Sequence, residues 1–440
     1  MEMAHTGACM STMATNLIRV TTHRLKLQIL CTYGTPIKTI LDIWPAFPIV
    51  LDLYSIRCLS PNDEDNAITT LEHPERVCSI RLSVTGLQLR KIATLMQEPF
   101  PLLTCLFIES RGRNVPFLPA KFLGESAPCL QKITLSHTPY PALPTLLLST
   151  SGLITLTLCR IQPTGYISPE TMVACLAALP RLESFTTKLQ SPTPRAVQIR
   201  PPPVTRAFLP ALTSFWFRGT SEYLEDLVAH MDSPQLNWIH IDSLNKPVDF
   251  QVAQLSTFID RSVGPKLTPS RRAHICCHSV QVVFTLYRHG NYQDWDRRRH
   301  VETTITSESS EWQVSHWAEV LSRFSAALHT VAHLEVDGQL QVWEDRGLAG
   351  EDDVDWLHLF HQFPALQTLH VSRHLAYYVA LALDDATGEL PSLGLICLEG
   401  QPKSTVEKLE FVAARRLSGR PVTVVNEREE FDKRLKSYIS

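Results

Sequence analysis

The chain offers only a few places where residue type and spacing could do chemistry. His274-Ile275-Cys276-Cys277-His278 puts two imidazoles and two thiols, the donor set of a zinc site, close together. On an extended backbone these side chains alternate, so His274, Cys276 and His278 share one face, about 6–7 Å apart, while Cys277 points the other way. Zinc takes four tetrahedral ligands, which a straight strand cannot wrap, so the segment reads as a partly exposed strand or turn. His329/His333, His358/His361 and His370/His374 have helical spacing in name only and read as surface or loop histidines. Asp63-Glu64-Asp65 could supply paired carboxylates for acid–base work, but beside Pro61 and Asn62 it reads as a solvated turn. Arg297-Arg298-Arg299 is flanked by Asp296 and Glu302 and is too short a basic run to track a phosphate backbone.

The motifs of the common enzyme classes are missing from the sequence. There is no Gly-x-Gly-x-x-Gly, no phosphate loop ending in Gly-Lys-Ser/Thr, no His-Glu-x-x-His and no Gly-x-Ser-x-Gly. The expectation is a non-enzyme without cofactor or bound metal. Charge agrees: 41 Lys and Arg against 44 Asp and Glu leave a net −3, without the concentrated basic surface that nucleic acid or an anionic membrane requires. The composition is 44% hydrophobic and 19% charged, enough apolar residues for a core. The eleven cysteines are an odd number with no Cys-x-x-Cys, and Cys105, Cys129, Cys159 and Cys397, inside apolar phrases, read as small buried hydrophobes rather than disulfide partners. No long apolar run, signal-peptide pattern or Asn-x-Ser/Thr site occurs, so a cytoplasmic or nuclear location is expected.

The elements that must position any site are announced by a recurring phrase, Leu-x-x-Leu-x-Leu, introduced by Pro or a small residue. Pro101-Leu-Leu103-Thr-Cys-Leu106-Phe-Ile108 and Pro128-Cys-Leu130-Gln-Lys-Ile133-Thr-Leu135 are clear copies. The first leucines run Leu103, Leu130, Leu153, Leu182, Leu212 and Leu236, in steps of 27, 23, 29, 30 and 24, and the phrase returns at Leu366 and Leu393. Weaker copies begin at Val77 and Val331. The last two apolar positions alternate with polar ones, as in Thr155-Leu156-Thr157-Leu158, and predict a very short half-buried strand. Helical spacing follows: Met172, Leu176 and Leu179 behind Pro169, then Leu224, Leu227 and Met231. An ordinary α/β domain with coincidental phrases fits eight copies poorly. The pattern predicts parallel strands lining one side and helices the other, each unit burying its apolar face on its neighbours.

On these phrases the chain resembles the leucine-rich-repeat family, which implies an α/β solenoid, a horseshoe with short parallel strands on the concave face. The usual Asn after the strand is replaced: the equivalent positions are Arg111, Thr138, Ile161, Gln190, Thr220 and Leu244, so hydroxyls such as those of Thr138 or Thr220 are expected to satisfy the turns. The strand positions facing outward would be Phe107, Thr134, Thr157, Thr186, Trp216, His240, His370 and Cys397, with Arg218 and Asp242 next to Trp216 and His240. An aromatic at such a place is a candidate protein contact.

The periodicity divides the chain into an N-terminal segment 1–22, a cap 23–75, a repeat domain 76–425 with an irregular middle at about 245–327, and a charged tail 426–440. In that middle Leu255, Phe258 and Ile259 read as a helix, Ser279 to Tyr287 as a strand, Trp295 to His300 as a polar excursion, and Trp317, Leu321 and Phe324 as the next helix. Leu25-Lys-Leu27-Gln-Ile29-Leu30, then Leu41 to Leu51, read as the cap; Val406 to Gly419 and Val422 to Val425 read as a final helix and closing strand. With these ends, residues 20–425 resemble the F-box/leucine-rich-repeat proteins of mushroom-forming (basidiomycete) fungi. In that family an N-terminal F-box binds the Skp1 adaptor of a cullin ubiquitin ligase, and the repeats select the protein to be ubiquitylated. About 20 residues precede Leu25, too few for the three F-box helices of roughly 10 residues each, so the chain is expected to lack that module. The resemblance implies a recognition scaffold like a ligase substrate receptor, and the alternative is a structural or degenerate repeat protein.

Overall fold

The computed structural model describes residues 18–21, 26–44, 47–54, 59–112, 116–190, 206–243, 252–262, 271–277, 281–287, 300–306, 314–324, 328–338, 356–384, 390–402, 406–407 and 409–439. The candidate residue His278 and the run Trp295–Arg299 lie outside them. The chain divides into two units, residues 1–193 with 207–212, and 194–206 with 213–440. The boundary falls inside the stretch 76–425 that the periodicity treats as one domain.

In the first unit the strands are β1 (Ile18–Thr21), β2 (Lys26–Cys31), β3 (Ile49–Leu53), β4 (Val77–Thr85), β5 (Cys105–Arg111), β6 (Lys132–Ser136), β7 (Thr155–Ile161) and β8 (Ser184–Leu189), with a two-residue β9 (Ala207–Phe208). β1 and β2 are antiparallel; from β2 onward every strand pairs in parallel with the next in sequence. Helices α1 (Ile37–Ile43), α2 (Pro61–Leu71), α3 (Gly86–Leu95), α4 (Leu143–Leu148) and α5 (Pro169–Ala177) fall in the connections. The segment read as a cap therefore already alternates strand and helix.

One local device recurs at every anchor leucine. The N–H groups of Leu103, Leu130, Leu153, Leu182, Leu212, Leu236, Leu366 and Leu393 each donate to the carbonyl three residues earlier, at 3.0–3.4 Å, closing a turn just before the strand. All eight side chains are at most 1% exposed. The next residue then donates to the preceding strand segment, for example Thr104 to Cys78 (2.9 Å), Gln131 to Thr104 (2.9 Å) and Glu183 to Ile154 (2.9 Å). Strands such as β5 and β8 then alternate buried and half-buried positions, so each has one apolar face and one partly open face.

Turn and cap chemistry explains where the helices start. Ser168 accepts from the Thr171 N–H (3.2 Å) and Pro169 occupies the first helical position of α5. The acidic run Asp63-Glu64-Asp65, expected in a solvated turn, instead opens α2. Ser60 and Asp63 form a reciprocal capping box there, and the Asp63 carboxylate also accepts the Gly34 N–H at 2.7 Å. Asp63 is 6% exposed; burial pushes its carboxyl up, but these hydrogen bonds outweigh it and hold it below the usual range. After β6, His137 (φ 53°) adopts the left-handed conformation; its Nδ1–H donates to the Ser110 carbonyl (3.2 Å) while Nε2 accepts from Gln162 (3.2 Å). The Thr138 hydroxyl donates to Ser136 (2.9 Å), as the missing Asn required. Thr220 does not follow suit: it caps the next helix without a side-chain hydrogen bond.

The second unit holds β10 (Ser214–Gly219), α6 (Ser221–Ala229), β11 (Met231–Asp232), β12 (Trp238–Ser243), α7 (Ala253–Ser262), β13 (Arg271–Cys277), β14 (Gln281–Tyr287), β15 (His300–Thr306), α8 (Val314–Ser322), β16 (Val331–Gly338), α9 (Trp356–Phe360), β17 (Thr368–Val371), α10 (Ala376–Asp384), β18 (Leu395–Leu398), α11 (Glu410–Leu417), β19 (Thr423–Val425) and α12 (Arg428–Ile439). Its ladder runs β10, β12, β15, β14, β13, β16, β17, β18, β19. The irregular middle is a meander in reverse order: β15 lies parallel to β12, β13 parallel to β16, and β14 fits antiparallel between them. Leu255, Phe258 and Ile259 are buried in α7, and Trp317 and Leu321 in α8. α11 ends at Gly419 (φ 73°), where the Arg420 N–H reaches back to the Arg415 carbonyl (3.0 Å).

The segment 426–440, expected as a charged tail, is largely helical. Arg428, Phe431 and Leu435 sit at i, i+3 and i+7, one helix face. Phe431 and Leu435 are each 3% exposed and pack with Leu395, Cys397 and Val425. Two apolar side chains, with the Arg428–Glu335 ion pair, dock it on the sheet.

If the anchor leucines set the spacing of the ladder, Leu130→Ala (0% exposed) should cost about 2–5 kcal/mol. Leu148→Ala (63% exposed) should stay within about 0.5 kcal/mol. Urea unfolding of both variants measures the difference, and equal effects would remove the anchors from their role.

Candidate functional site

Register brings the outward strand positions into rows. In the first unit Asp52, Arg81, Phe107, Thr134, Thr157 and Thr186 are successive ladder partners. Arg81 pairs with Asp52 (3.0 Å) and lies over the Tyr54 ring (5.4 Å), and Tyr54 meets Phe107 edge-on at 4.7 Å. Phe107, Thr134, Thr157 and Thr186 are all half-buried.

In the second unit one row runs through Trp216, His240, Glu302, Thr285, His274, Glu335, His370, Cys397 and Val425. Its two ends differ. At the β10–β12 end Trp216, Trp238 and His240 form a half-exposed aromatic trio, with ring centroids 4.8 Å (Trp216–His240) and 5.8 Å (both other pairs) apart. Arg218 and Asp242, one ladder step on, approach to 3.4 Å. Trp238 was missed in the sequence, although it occupies the same phase of its strand as His240.

At the β16–β18 end the row is closed. His370, expected to face outward, is 1% exposed, and Cys397 is 0% exposed. The reason is α12, whose Phe431 ring lies 5.2 Å from the His370 ring. Every residue of β17 and β18 is buried, on both faces, unlike the alternating strands β10 and β12.

Beneath and beside α12 lies an ion network. Glu335 receives Arg272 Nη2 at 2.8 Å and Arg428 Nη2 at 2.5 Å, with His370 Nδ1 at 3.7 Å. His370 Nε2 donates to Glu399 (2.8 Å), and His274 Nε2 donates to Asp337 (2.8 Å). Burial pushes the Glu335 carboxyl up, but Arg272 and then Arg428 outweigh it and hold it below the usual range. Asp337 is lowered likewise, burial being outweighed by the His274 hydrogen bond and nearby cations. The sequence hints at this network through the alternation Glu335, Asp337 in a weak repeat copy, but nothing local names Arg428 as the partner.

Could this cluster hold a metal? Potential ligand atoms of His274, Glu335 and Asp337 lie within 4.8 Å of one another. Yet Glu335 already faces two guanidinium groups, whose charge opposes a cation there. Nor do the thiols help. Cys277 is buried on the far face of β13 from His274 and Cys276. Burial and neighbouring carboxylates push Cys276 up to about 11 and Cys397 up to about 12, so neither is a thiolate at neutral pH. As it stands the arrangement is an ion network that fastens a helix, with no activated nucleophile in it.

No family model matches this sequence, and no curated protein matches it either. Among the described residues, no helix is long and apolar enough to cross a membrane.

Because both folded carboxyls sit below their unfolded values, their stabilisation is complete above about pH 5 and lost as pH falls through the folded values. Urea stability should therefore fall from about pH 5 toward pH 2, and less steeply in Glu335→Gln. An equally steep fall in that variant would discount the network.

Proposed function

We propose that the chain is a non-catalytic protein-recognition scaffold of the leucine-rich-repeat kind, which binds through the open strand face of its second unit. The observation that carries this reading is the half-exposed trio Trp216, Trp238 and His240 beside Arg218 and Asp242. Trp and Arg dominate protein-binding hot spots because they bury large area and pair directionally at little entropic cost. Here the rings brace one another on adjacent strands, so much of the ordering cost is met before a partner arrives. The row Arg81, Phe107, Thr134 and Thr157 of the first unit is a second, more polar contact surface of the same type.

The finer reading follows the resemblance to fungal F-box/leucine-rich-repeat proteins: a substrate receptor of a cullin ubiquitin ligase, acting in the cytoplasm or nucleus, with Skp1 as its adaptor. A free-standing or purely structural repeat protein is the competing reading. Pull-down with the full chain and with Trp216→Ala separates them. Loss of a specific partner in Trp216→Ala, with circular dichroism unchanged, supports the recognition face; an identical partner set removes Trp216 from it. Capture of purified Skp1 by the full chain would support the ligase class.

A further inference from the structure

The covered end of the polar row in the second unit poses a physical question. α12 covers a mixed face: the apolar Leu395, Cys397 and Val425 that a permanent cap on a repeat stack would seal, and beside them Glu335, His370 and Glu399, which such a cap does not need. That face continues the row that begins at Trp216 and His240. α12 grips it through one cation and two apolar side chains, Arg428, Phe431 and Leu435. Arg, Phe and Leu at i, i+3 and i+7 are the signature of an amphipathic helix laid in a groove.

Three further observations bear on whether α12 can leave. Glu335 keeps Arg272 at 2.8 Å when Arg428 departs, so undocking does not strand a bare buried carboxylate. Only Asn426 and Glu427 separate α12 from β19, so any departure of the helix turns on these two residues. On the side away from the sheet, Glu430 and Arg434 pair at 2.8 Å across one helical turn, which supports the helix off the sheet as well as on it.

We propose that α12 is a displaceable occupant of this face, standing in for a partner helix that presents Arg, Phe and Leu at the same spacing. The inference rests on the recognition reading above and names the partner's chemistry: a basic-and-apolar amphipathic helix that must evict α12 to bind. A covered face lowers the apparent affinity for any competitor by the fraction of time it is open.

The test uses the full chain and a fluorescent peptide of residues 428–439. The chain carrying Phe431→Ala with Leu435→Ala should bind the peptide at least about tenfold more tightly than the unaltered chain, because its own helix no longer competes. A peptide with the same Phe replaced by Ala should not bind, and binding should weaken with salt. In the unaltered chain, hydrogen exchange across 428–439 should be much faster than across β17 and β18. Three results each overturn the proposal: exchange as slow as in those strands, loss of the sheet in the double variant, or no peptide binding to that variant. The arms are independent of the Trp216 experiment. Peptide capture with an unchanged partner set for Trp216→Ala would leave the latch standing and remove the aromatic trio, and the reverse outcome would do the opposite.

Discussion

Eight of the described strands start from one constraint, the closed turn at each anchor leucine. The leucine N–H bonds back three residues, its side chain is sealed in the core, and the following N–H reaches the neighbouring strand segment. Burying a leucine gains about 1.5–3 kcal/mol, but the more important consequence is positional. The turn fixes where each strand begins, and the next hydrogen bond fixes its height against the neighbour. A strand of six or seven residues, too short to choose a register alone, is thereby held in the register that turns its apolar side chains inward.

Register then creates the rows of outward-facing side chains. With strand starts fixed, residues of the same phase fall into rows, and residues far apart in sequence become neighbours. Trp216 and His240 meet because each lies four residues past its anchor leucine, Leu212 and Leu236. His370 bears the same relation to Leu366, and so lies in the same row. The row crosses even the reversed meander, because β14 runs antiparallel between two strands that keep the common direction, and directly opposed residues in an antiparallel pair share a face.

This explains which parts were legible in the sequence. Anchors, alternation and the helices behind Pro169 and around Leu255 are local, so periodicity exposes them. The order of β13, β14 and β15 is not local: any of these segments reads as a strand, and nothing in Arg271–Cys277 or His300–Thr306 says which joins β12. The acidic run Asp63–Asp65 was misplaced although its cap is local: Ser60-Pro61-Asn62-Asp63 is a helix-start signature, and only the contact with Gly34, 29 positions away, lies beyond local reading. The burial of His370 was invisible for a related reason. It is caused by Phe431 and Leu435, whose spacing is plain only once the surrounding charges of α12 are recognised as its outer face.

Guanidinium groups fasten this chain in two ways, and the contrast shows which contacts are built to persist. Arg415 donates to the carbonyls of Pro391 and Leu393, in the turn that the anchor Leu393 closes, and Arg76 likewise reaches Trp44 and Phe47. These are hydrogen bonds from a charged donor to backbone carbonyls, and they brace the chain just ahead of β3 and β18. Arg428 instead shares its acceptor with Arg272. An ion pair with a resident substitute gives orientation without making the fold depend on it, since desolvation offsets much of its Coulombic gain. The backbone-directed arginines brace the chain ahead of two strands, whereas Arg428 joins a helix to the sheet face.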